Sequence, residues 1–161
     1  FGILPDMMTL AKSLGSGFPI GALVASEKIA DTLQPGTHGT TFGGSPLACS
    51  ASLATFEAIK KEKLLNNAKV MGAYLLKKLS GLAKKHSVIS EVRGIGLMAG
   101  VELKTEGKKI YEECLKNGLL INCTQGNVLR IMPPIIVKKR EIDKAIQILD
   151  EALMLVGKSS I

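Results

Sequence analysis

Aromatic residues are scarce in this chain: Phe, Trp and Tyr together make up 4% of its 161 residues, and tryptophan is absent. Proteins that bind single-stranded nucleic acids stack the bases on aromatic side chains that lie among basic residues. No such interleaving accompanies the lysines of this sequence. The scarcity of aromatics therefore argues against nucleic-acid binding, even though the formal net charge is +7.

Positive charge is also scarce in the first third of the chain. Residues 1–56 contain two lysines and three acidic residues, which leaves 19 basic and 11 acidic residues downstream. Lysine pairs such as Lys77-Lys78 and Lys84-Lys85 lie in segments with helical periodicity, where a solvated face is the ordinary interpretation. A non-catalytic basic binding module remains an alternative, and its binding to nucleic acid would weaken as salt is raised.

Long apolar runs and cysteine pairs are missing as well. No apolar run reaches the roughly 18 to 20 residues that a membrane-spanning helix needs, so no membrane partner is predicted. Three cysteines without a C-x-x-C pair fit reduced thiols better than a disulfide framework, which predicts a cytoplasmic location. No metal site is predicted. A transit peptide upstream of Phe1 is left open, since the chain does not begin with methionine.

Hydrophobic residues make up 46% of the chain, enough to bury a sizeable core. Up to residue 85, their spacing and the turn signals predict one buried strand, three helices and an exposed loop rich in glycine and threonine. The predicted bounds are 20–26 for the strand, 27–33, 46–61 and 64–85 for the helices, and 34–44 for the loop. The core candidates of the third helix are Leu65, Val70, Leu75, Leu76, Leu79 and Leu82. Gly72 and Gly81 weaken that helix prediction, because glycine disfavours helix interiors.

After residue 86 the apolar residues occur in short alternating runs typical of strands. Strands are predicted at 88–92, 97–103, 119–122 and 128–131, and helices at 108–117 and 141–155. Gly118 is well placed for a left-handed C-terminal helix cap. The pattern predicts an α+β module attached to the tail of an α/β domain, with the boundary near residue 62.

Lys12 follows an apolar segment and precedes a glycine-rich turn, in Thr9-Leu10-Ala11-Lys12-Ser13-Leu14-Gly15. A lysine acts as a nucleophile only as the neutral amine, which requires a partly desolvated site or nearby positive charge. Leu10, Ala11 and Leu14 are candidates for apolar surroundings. On spacing alone, a solvated surface lysine is the commoner interpretation.

Four separated segments resemble, in order, motifs of the class III aminotransferases, which use pyridoxal phosphate. The first contains Lys12 and resembles the cofactor-lysine segment, and the second resembles the loop and helix start that close on the cofactor phosphate. The four segments are Pro5-Asp6-Met7-Met8-Thr9-Leu10-Ala11-Lys12 with Gly17-Phe18-Pro19-Ile20-Gly21-Ala22, Pro35-Gly36-Thr37-His38-Gly39-Thr40-Thr41-Phe42-Gly43-Gly44-Ser45-Pro46-Leu47-Ala48-Cys49, Val92-Arg93-Gly94-Ile95-Gly96-Leu97-Met98, and Val128-Leu129-Arg130-Ile131-Met132-Pro133-Pro134.

The resemblance implies an α/β protein of the pyridoxal-phosphate-dependent transferase fold type I. Residues 1–62 would form the C-terminal part of the large cofactor domain, with the cofactor lysine and an interdomain helix. Residues 63–161 would form the small C-terminal α+β domain. Because the family's pyridinium carboxylate, phosphate loop and stacking aromatic would precede Phe1, we expect a C-terminal fragment that does not transaminate alone.

The resemblance also assigns roles to four residues. Lys12 would link covalently to pyridoxal phosphate and move protons during the reaction. Thr40 and Thr41, and Thr41 more strongly, would bind the phosphate from a neighbouring subunit, which implies a homodimer with composite active sites. A loop with only local threonine bonds is the alternative. Arg130 would bind the substrate α-carboxylate.

Arg130 lies between Leu129 and Ile131 on a predicted apolar strand, where an unpaired guanidinium would be costly. An anionic partner is therefore expected, either the substrate carboxylate or, alternatively, an acidic residue of the chain. Arg93 resembles a family motif residue too, but a structural pairing at its turn is at least as good an interpretation.

The reaction implied is transfer of the terminal amino group of N-acetylornithine to 2-oxoglutarate, in arginine biosynthesis. Part of the specificity pocket would lie upstream of Phe1. Ornithine, succinylornithine and 4-aminobutyrate therefore stay open as alternative amino donors.

Overall fold

The computed structural model of the chain describes the backbone of residues 2–158 and the side chains of residues 2–155. The chain divides into two compact units, Phe1–Glu62 and Lys63–Ile161. The last helix ends at Lys158.

The first unit contains an antiparallel pair of short strands, β1 (Met7–Leu10) and β2 (Ala22–Ala25). Leu10 pairs with Ala22, so residues 11–21 leave β1 and return directly beside it. The first part of this excursion is a 3-10 turn, Lys12–Gly15, which we call the lysine turn.

Two helices complete the first unit, the short α1 (Glu27–Ala30) and the longer α2 (Pro46–Lys61). Helix α2 has the predicted bounds, with Pro46 in its first turn where no backbone donor is lost. Strand β2 is more exposed than predicted, because Leu23 and Val24 are 52% and 50% accessible. Among the described residues, β1 is the one strand that pairs with β2.

The second unit is built on a four-stranded antiparallel sheet in the order β3-β4-β6-β5. Its strands are β3 (Ile89–Ile95), β4 (Met98–Leu103), β5 (Asn122–Thr124) and β6 (Val128–Ile131). Its helices are α3 (Leu64–Lys85), α4 (Lys108–Lys116) and α5 (Lys139–Lys158). Helix α3 packs against β3, β4 and α5, and α4 packs against α5. The core is therefore enclosed between one face of the sheet and these helices.

The side chains of this core come from every helix and from three of the strands. The largest fully buried ones are Leu75, Leu79, Leu103, Ile110, Leu129, Ile142, Leu149 and Leu153. Three of the core candidates in α3 are confirmed, Leu75, Leu79 and Leu82. The core assignments of Leu65 and Val70 are wrong, because these side chains are 71% and 50% exposed.

Strand β5 begins at Asn122, three residues later than predicted. The delay follows from the end of α4, where Gly118 is left-handed with φ 80°. There Leu119 N donates to Cys114 O at 2.9 Å and Gly118 N to Leu115 O at 3.0 Å. Because this cap uses the amide of Leu119, the chain cannot pair as a strand until it has left the helix end.

Helix α5 begins two residues earlier than predicted. The Glu141 carboxylate accepts a hydrogen bond from Lys138 N at 2.7 Å, which satisfies a free amide at the helix start. This backbone hydrogen bond is the main reason that the pKa of Glu141 is lowered.

Candidate functional site

Lys12 begins the lysine turn immediately after β1 and Ala11. Its φ is 55°, in the left-handed region that residues other than glycine rarely adopt. This conformation costs about 1 to 2 kcal/mol and persists only where the surrounding structure holds it. The backbone of Lys12 is thus strained at the position where the resemblance places the cofactor amine.

Ser16 caps the C-terminal end of the lysine turn and is also left-handed, with φ 48°. Three backbone hydrogen bonds close the segment, from Leu14 N to Ala11 O (3.1 Å), from Ser16 N to Ser13 O (3.2 Å) and from Phe18 N to Gly15 O (3.0 Å). Gly15 is buried, and a Cβ there would lie 2.8 Å from Ile20 Cγ2. Glycine therefore allows the turn to fold closely onto the residues that follow it.

The turn borders a concavity of about 520 Å³. Its lining residues are Lys12, Ser13, Ser16, Gly17, Phe18, Pro19 and Ile20. The Lys12 side chain is exposed and forms no ion pair with any residue in the described part of the chain. Of the three residues predicted to give it apolar surroundings, Leu10 and Leu14 are half-buried and Ala11 is exposed.

Thr40 and Thr41 lie in the irregular segment between α1 and α2, and both are exposed. The methyl group of Thr40 lies over Gly43, where a Cβ would overlap it. Within residues 2–158, neither threonine hydroxyl has a hydrogen-bond partner. Local threonine bonds occur elsewhere in this region, from Thr37 Oγ1 to Gln34 O at 2.6 Å and from Thr32 Oγ1 to Ile29 O at 2.7 Å.

Helix α2 packs against the lysine turn. Its Thr55 Oγ1 lies 3.0 Å from Ser16 Oγ, a contact between residues 39 positions apart in sequence. Sequence reasoning missed both residues. No local signal could have identified them, because in the sequence each one is an ordinary polar residue and nothing in either segment indicates a contact with the other.

Arg130 is the candidate carboxylate-binding residue of the second unit. It lies on β6 between Leu129, which is fully buried, and Ile131, which is 7% exposed. Arg130 itself is exposed, because successive side chains of a strand point to opposite faces. The apolar strand neighbours that made an unpaired guanidinium look costly therefore point into the core, away from the Arg130 side chain.

One row of paired residues crosses the exposed face of the sheet. Arg93 pairs with Gly100, Gly100 with Arg130, and Arg130 with Asn122. Paired residues share a face in an antiparallel sheet. Gly100 therefore leaves the surface between the two arginines without a side chain.

The two arginines of this row differ in their partners. Arg93 Nη1 lies 2.8 Å from Glu91 Oε2 and 2.5 Å from Glu102 Oε2. This geometry fits the interpretation that Arg93 has a structural role and pairs with acidic residues of the chain. Arg130 forms no ion pair with any residue that the structure describes. Its guanidinium is thus available to an anion from outside this part of the chain.

Two of the paired lysines have acidic partners nearby. Lys78 Nζ lies 2.9 Å from Asp143 Oδ1, and Lys85 Nζ lies 2.5 Å from Asp150 Oδ2. These contacts support the interpretation of the basic excess as a solvated, locally paired face.

Comparison with known proteins identifies a family for nearly the whole chain. Residues 1–153 match the family described as aminotransferase class III. The chain is 51% identical over 160 residues to an acetylornithine aminotransferase of Methanocaldococcus jannaschii, and this alignment covers 98% of the chain and 40% of that relative. The chain thus spans about 40% of the length of the curated relatives that it matches.

Solved structures of related enzymes have the same fold. An ornithine aminotransferase of Toxoplasma gondii, with pyridoxal phosphate at partial occupancy at its active site, has a TM-score of 0.91 and 33% identity, covering 98% of this chain and 38% of that one. An acetylornithine aminotransferase of Elizabethkingia anophelis has a TM-score of 0.87 and 30% identity, covering 94% and 41%. The predicted α/β aminotransferase fold is confirmed.

The side chains of the first unit suit pyridoxal phosphate chemically. Lys12 offers a primary amine, Thr40 and Thr41 offer hydroxyl groups in a glycine-rich segment, and none of the three has an ionic or hydrogen-bond partner for these groups among the side chains that the structure describes. An amine can bond an aldehyde, and hydroxyl and amide groups can bind a phosphate.

The described residues contain no group of His, Cys, Asp and Glu arranged for a metal. No helix within residues 2–158 is both long and apolar enough to cross a membrane.

Proposed function

This chain belongs to the class III aminotransferase family, and we propose that it carries part of the active site of an enzyme that transfers the terminal amino group of N-acetylornithine to 2-oxoglutarate. The observation that carries the proposal is Lys12, which is exposed, forms no ion pair within the described part of the chain, and lies on a strained turn in the segment that resembles the family's cofactor-lysine motif. The 51% identity to an acetylornithine aminotransferase supports N-acetylornithine as the donor.

Pyridoxal phosphate, when bound, supplies an electron sink that makes the amino-bearing carbon of the substrate acidic. Lys12 Nζ would hold the cofactor through a covalent bond to its aldehyde carbon. When the nitrogen is not engaged in that bond, it would take the proton from the amino-bearing carbon of the substrate and return it elsewhere. A single lysine therefore serves as both anchor and general base.

Thr41, with Thr40 beside it, contributes hydroxyl and backbone donors for the cofactor phosphate. We place this contact across a homodimer, so that each active site is composite. The exposure of both threonines and the absence of partners for their hydroxyl groups within residues 2–158 support an external ligand. Uncharged donors suit this role, because they give hydrogen bonds to the phosphate without adding another charged group to the site.

Arg130 holds the α-carboxylate of the amino donor and of 2-oxoglutarate. A guanidinium can bind a carboxylate through two parallel hydrogen bonds, which orients the substrate as well as binding it. Its exposure beside Gly100 leaves room for such a ligand on this face of the sheet.

We assign residues 1–62 to the large cofactor domain and residues 63–161 to the small domain of the family, in accord with the two compact units. Because the chain spans about 40% of the length of its relatives, we expect residues 1–161 alone not to transaminate. The three free cysteines support the expected cytoplasmic location.

The role of Lys12 is tested by borohydride reduction of the complete protein with pyridoxal phosphate, followed by peptide mass mapping. We expect a pyridoxyl adduct on Lys12 and its loss in Lys12→Ala. Lys28→Ala is the matched control, since Lys28 is an exposed lysine of the same unit and its variant should retain the adduct. A Lys12→Ala protein that stays coloured and fully active would contradict the proposal.

The amino donor is tested by comparing kcat/KM of the complete protein for N-acetylornithine, ornithine, succinylornithine and 4-aminobutyrate. We expect N-acetylornithine to give the highest value. Activity with another donor and none with N-acetylornithine would leave the family assignment intact and overturn the substrate assignment.

A further inference from the structure

Helix α2 presents a stripe of small residues to its own unit. Ala48 and Ser52 are buried, Thr55 is half-buried, and the three follow at intervals of four and three residues, which places them on one helix face. Helix α2 packs against the lysine turn. The side-chain hydrogen bond from α2 to this turn is the contact of Thr55 with Ser16.

The Thr55 hydroxyl has two hydrogen-bond partners. Thr55 Oγ1 lies 2.8 Å from Ala51 O, the usual helical partner, and 3.0 Å from Ser16 Oγ. A threonine hydroxyl has one proton. When Thr55 donates it to Ala51 O, the Thr55 oxygen accepts the proton of Ser16, so the Ser16 hydroxyl is oriented toward α2.

Ser52 does not provide a second polar contact of this kind. Its hydroxyl is buried and has no hydrogen-bond partner among the described residues. The Thr55 hydroxyl is therefore the polar group through which α2 holds the end of the lysine turn.

Both ends of the lysine turn need such support. Lys12 has φ 55° and Ser16 has φ 48°, and neither has the conformational freedom of glycine. Strained residues of this kind relax unless neighbouring groups hold them. Ser16 N is bonded within the turn, to Ser13 O, so its side chain supplies the hydrogen bond to another element.

We propose that Thr55 and Ser16 are positioning residues for Lys12: their hydrogen bond holds the left-handed end of the turn and thereby the direction in which the Lys12 amine points. The inference rests on the proposed function of Lys12. It assigns no contact between Thr55 and the cofactor or substrate.

The test is Thr55→Val in the complete protein, which removes the hydroxyl and keeps the branched shape. We expect two changes of about 2- to 10-fold, the range for one lost hydrogen bond: a lower kcat, and a lower fraction of Lys12 trapped by borohydride at subsaturating pyridoxal phosphate. The KM for the amino donor should stay within about twofold, because substrate-binding groups are untouched. Thr55→Ser should restore both values.

Two further variants isolate the contact. Ser16→Ala should reproduce the effect of Thr55→Val, and the double variant should be no worse than either single one, because all three lack the same bond. Ser80→Ala is the matched control: Ser80 Oγ lies 2.8 Å from Leu76 O, the same kind of helical hydrogen bond, and has no partner on another element among the described residues. It should behave as wild type.

The outcomes separate this inference from the proposed function. Absence of a Lys12 adduct in the wild type would overturn the proposed function itself. A wild-type adduct together with unchanged trapping and kcat in Thr55→Val would overturn the positioning role alone, as would a loss that Thr55→Ser does not restore. If Thr55→Val does not fold, Ser16→Ala provides the same comparison from outside the helix.

Discussion

Lys12 and Arg130 are both exposed cations without ionic partners among the described residues, but the backbone presents them differently. Lys12 lies on a left-handed, strained turn, so its direction depends on neighbouring elements. Arg130 lies on a regular strand whose pairing with Gly100 and Asn122 sets its face. We therefore expect substitutions at Arg130 to affect ligand binding with little effect on folding.

Arg130→Gln removes the charge that we assign to the substrate carboxylate. The expected result is a rise in KM for the amino donor of roughly 10- to 100-fold, the cost of losing a charge-assisted hydrogen bond. The midpoint of thermal unfolding should change by less than about 2 °C, because no ion pair with a described residue is lost. Steady-state kinetics and thermal melts of the complete protein measure both.

Arg140→Gln is the control for that variant. Arg140 is an exposed arginine of the same unit whose contact with Glu141 is a surface pair at 3.3 Å. Its replacement should leave KM unchanged. An Arg130→Gln protein with normal KM and a lower melting temperature would show that Arg130 is structural.

At the scale of elements, α3 approaches the turn between β3 and β4 closely. A Cβ on Gly72 would overlap the backbone of Gly96, which is itself left-handed with φ 53°. At Gly81, nine residues later in the same helix, no described atom outside the adjacent residues and the nearby backbone of α3 lies within 4 Å of the position of a Cβ. Two glycines that weaken the helix prediction equally thus have different roles.

Gly72→Ala and Gly81→Ala form a matched pair that tests this difference. Gly72→Ala should lower the free energy of unfolding by about 1 to 3 kcal/mol, because the helix must move away from a backbone that cannot yield. Gly81→Ala should raise it by about 0.5 to 1 kcal/mol, since alanine favours a helix.

Denaturant unfolding of both variants measures these free energies. Equal effects of the two substitutions, in either direction, would contradict the close packing of α3 on the β3-β4 turn.

At the scale of the whole molecule, acid stability depends on contacts between elements distant in sequence. Asp150 of α5 lies 2.5 Å from His86 Nε2 and 2.5 Å from Lys85 Nζ, at the C-terminal end of α3. Burial alone would raise the pKa of Asp150, but the hydrogen bonds from Lys85 and His86 and the charges of these two residues together outweigh it and lower the pKa below its ordinary 3.8. The ionised carboxylate therefore stabilises the fold.

A lowered pKa gives stability that is present above the unfolded-state pKa and is lost as the pH falls through the folded-state pKa. Asp150→Asn should lower the free energy of unfolding by about 1 to 2 kcal/mol at pH 7. The difference from wild type should shrink as the pH falls below about 4, where the wild type also loses the charge. Urea unfolding over a pH series measures this difference.

Glu151→Gln is the control, since Glu151 is the neighbouring carboxylate and contacts the exposed Gln147 of its own helix. It should change stability by less than about 0.5 kcal/mol. A gap between Asp150→Asn and wild type that widens in acid would refute the role of the ionised carboxylate.

The sequence by itself determined the features that depend on local chemistry. The bounds of α2, α3 and β6 follow from Ser45-Pro46, from apolar spacing and from alternation over a few residues, and all three are confirmed. The motifs around Lys12 and Arg130 identified the family, because the order and types of neighbouring residues are directly visible. The roles of Lys12, Thr40, Thr41 and Arg130 stay predictions.

Only the tertiary structure decided which faces of these elements are covered. It placed Leu65 and Val70 outside the core, turned Arg130 away from its apolar neighbours, and brought Thr55 to Ser16 across 39 residues. It also separated Gly72 from Gly81. The reason is physical: periodicity specifies that an element has an apolar or a small-residue face, but burial and hydrogen bonding depend on the element that packs against it, which comes from a distant part of the chain.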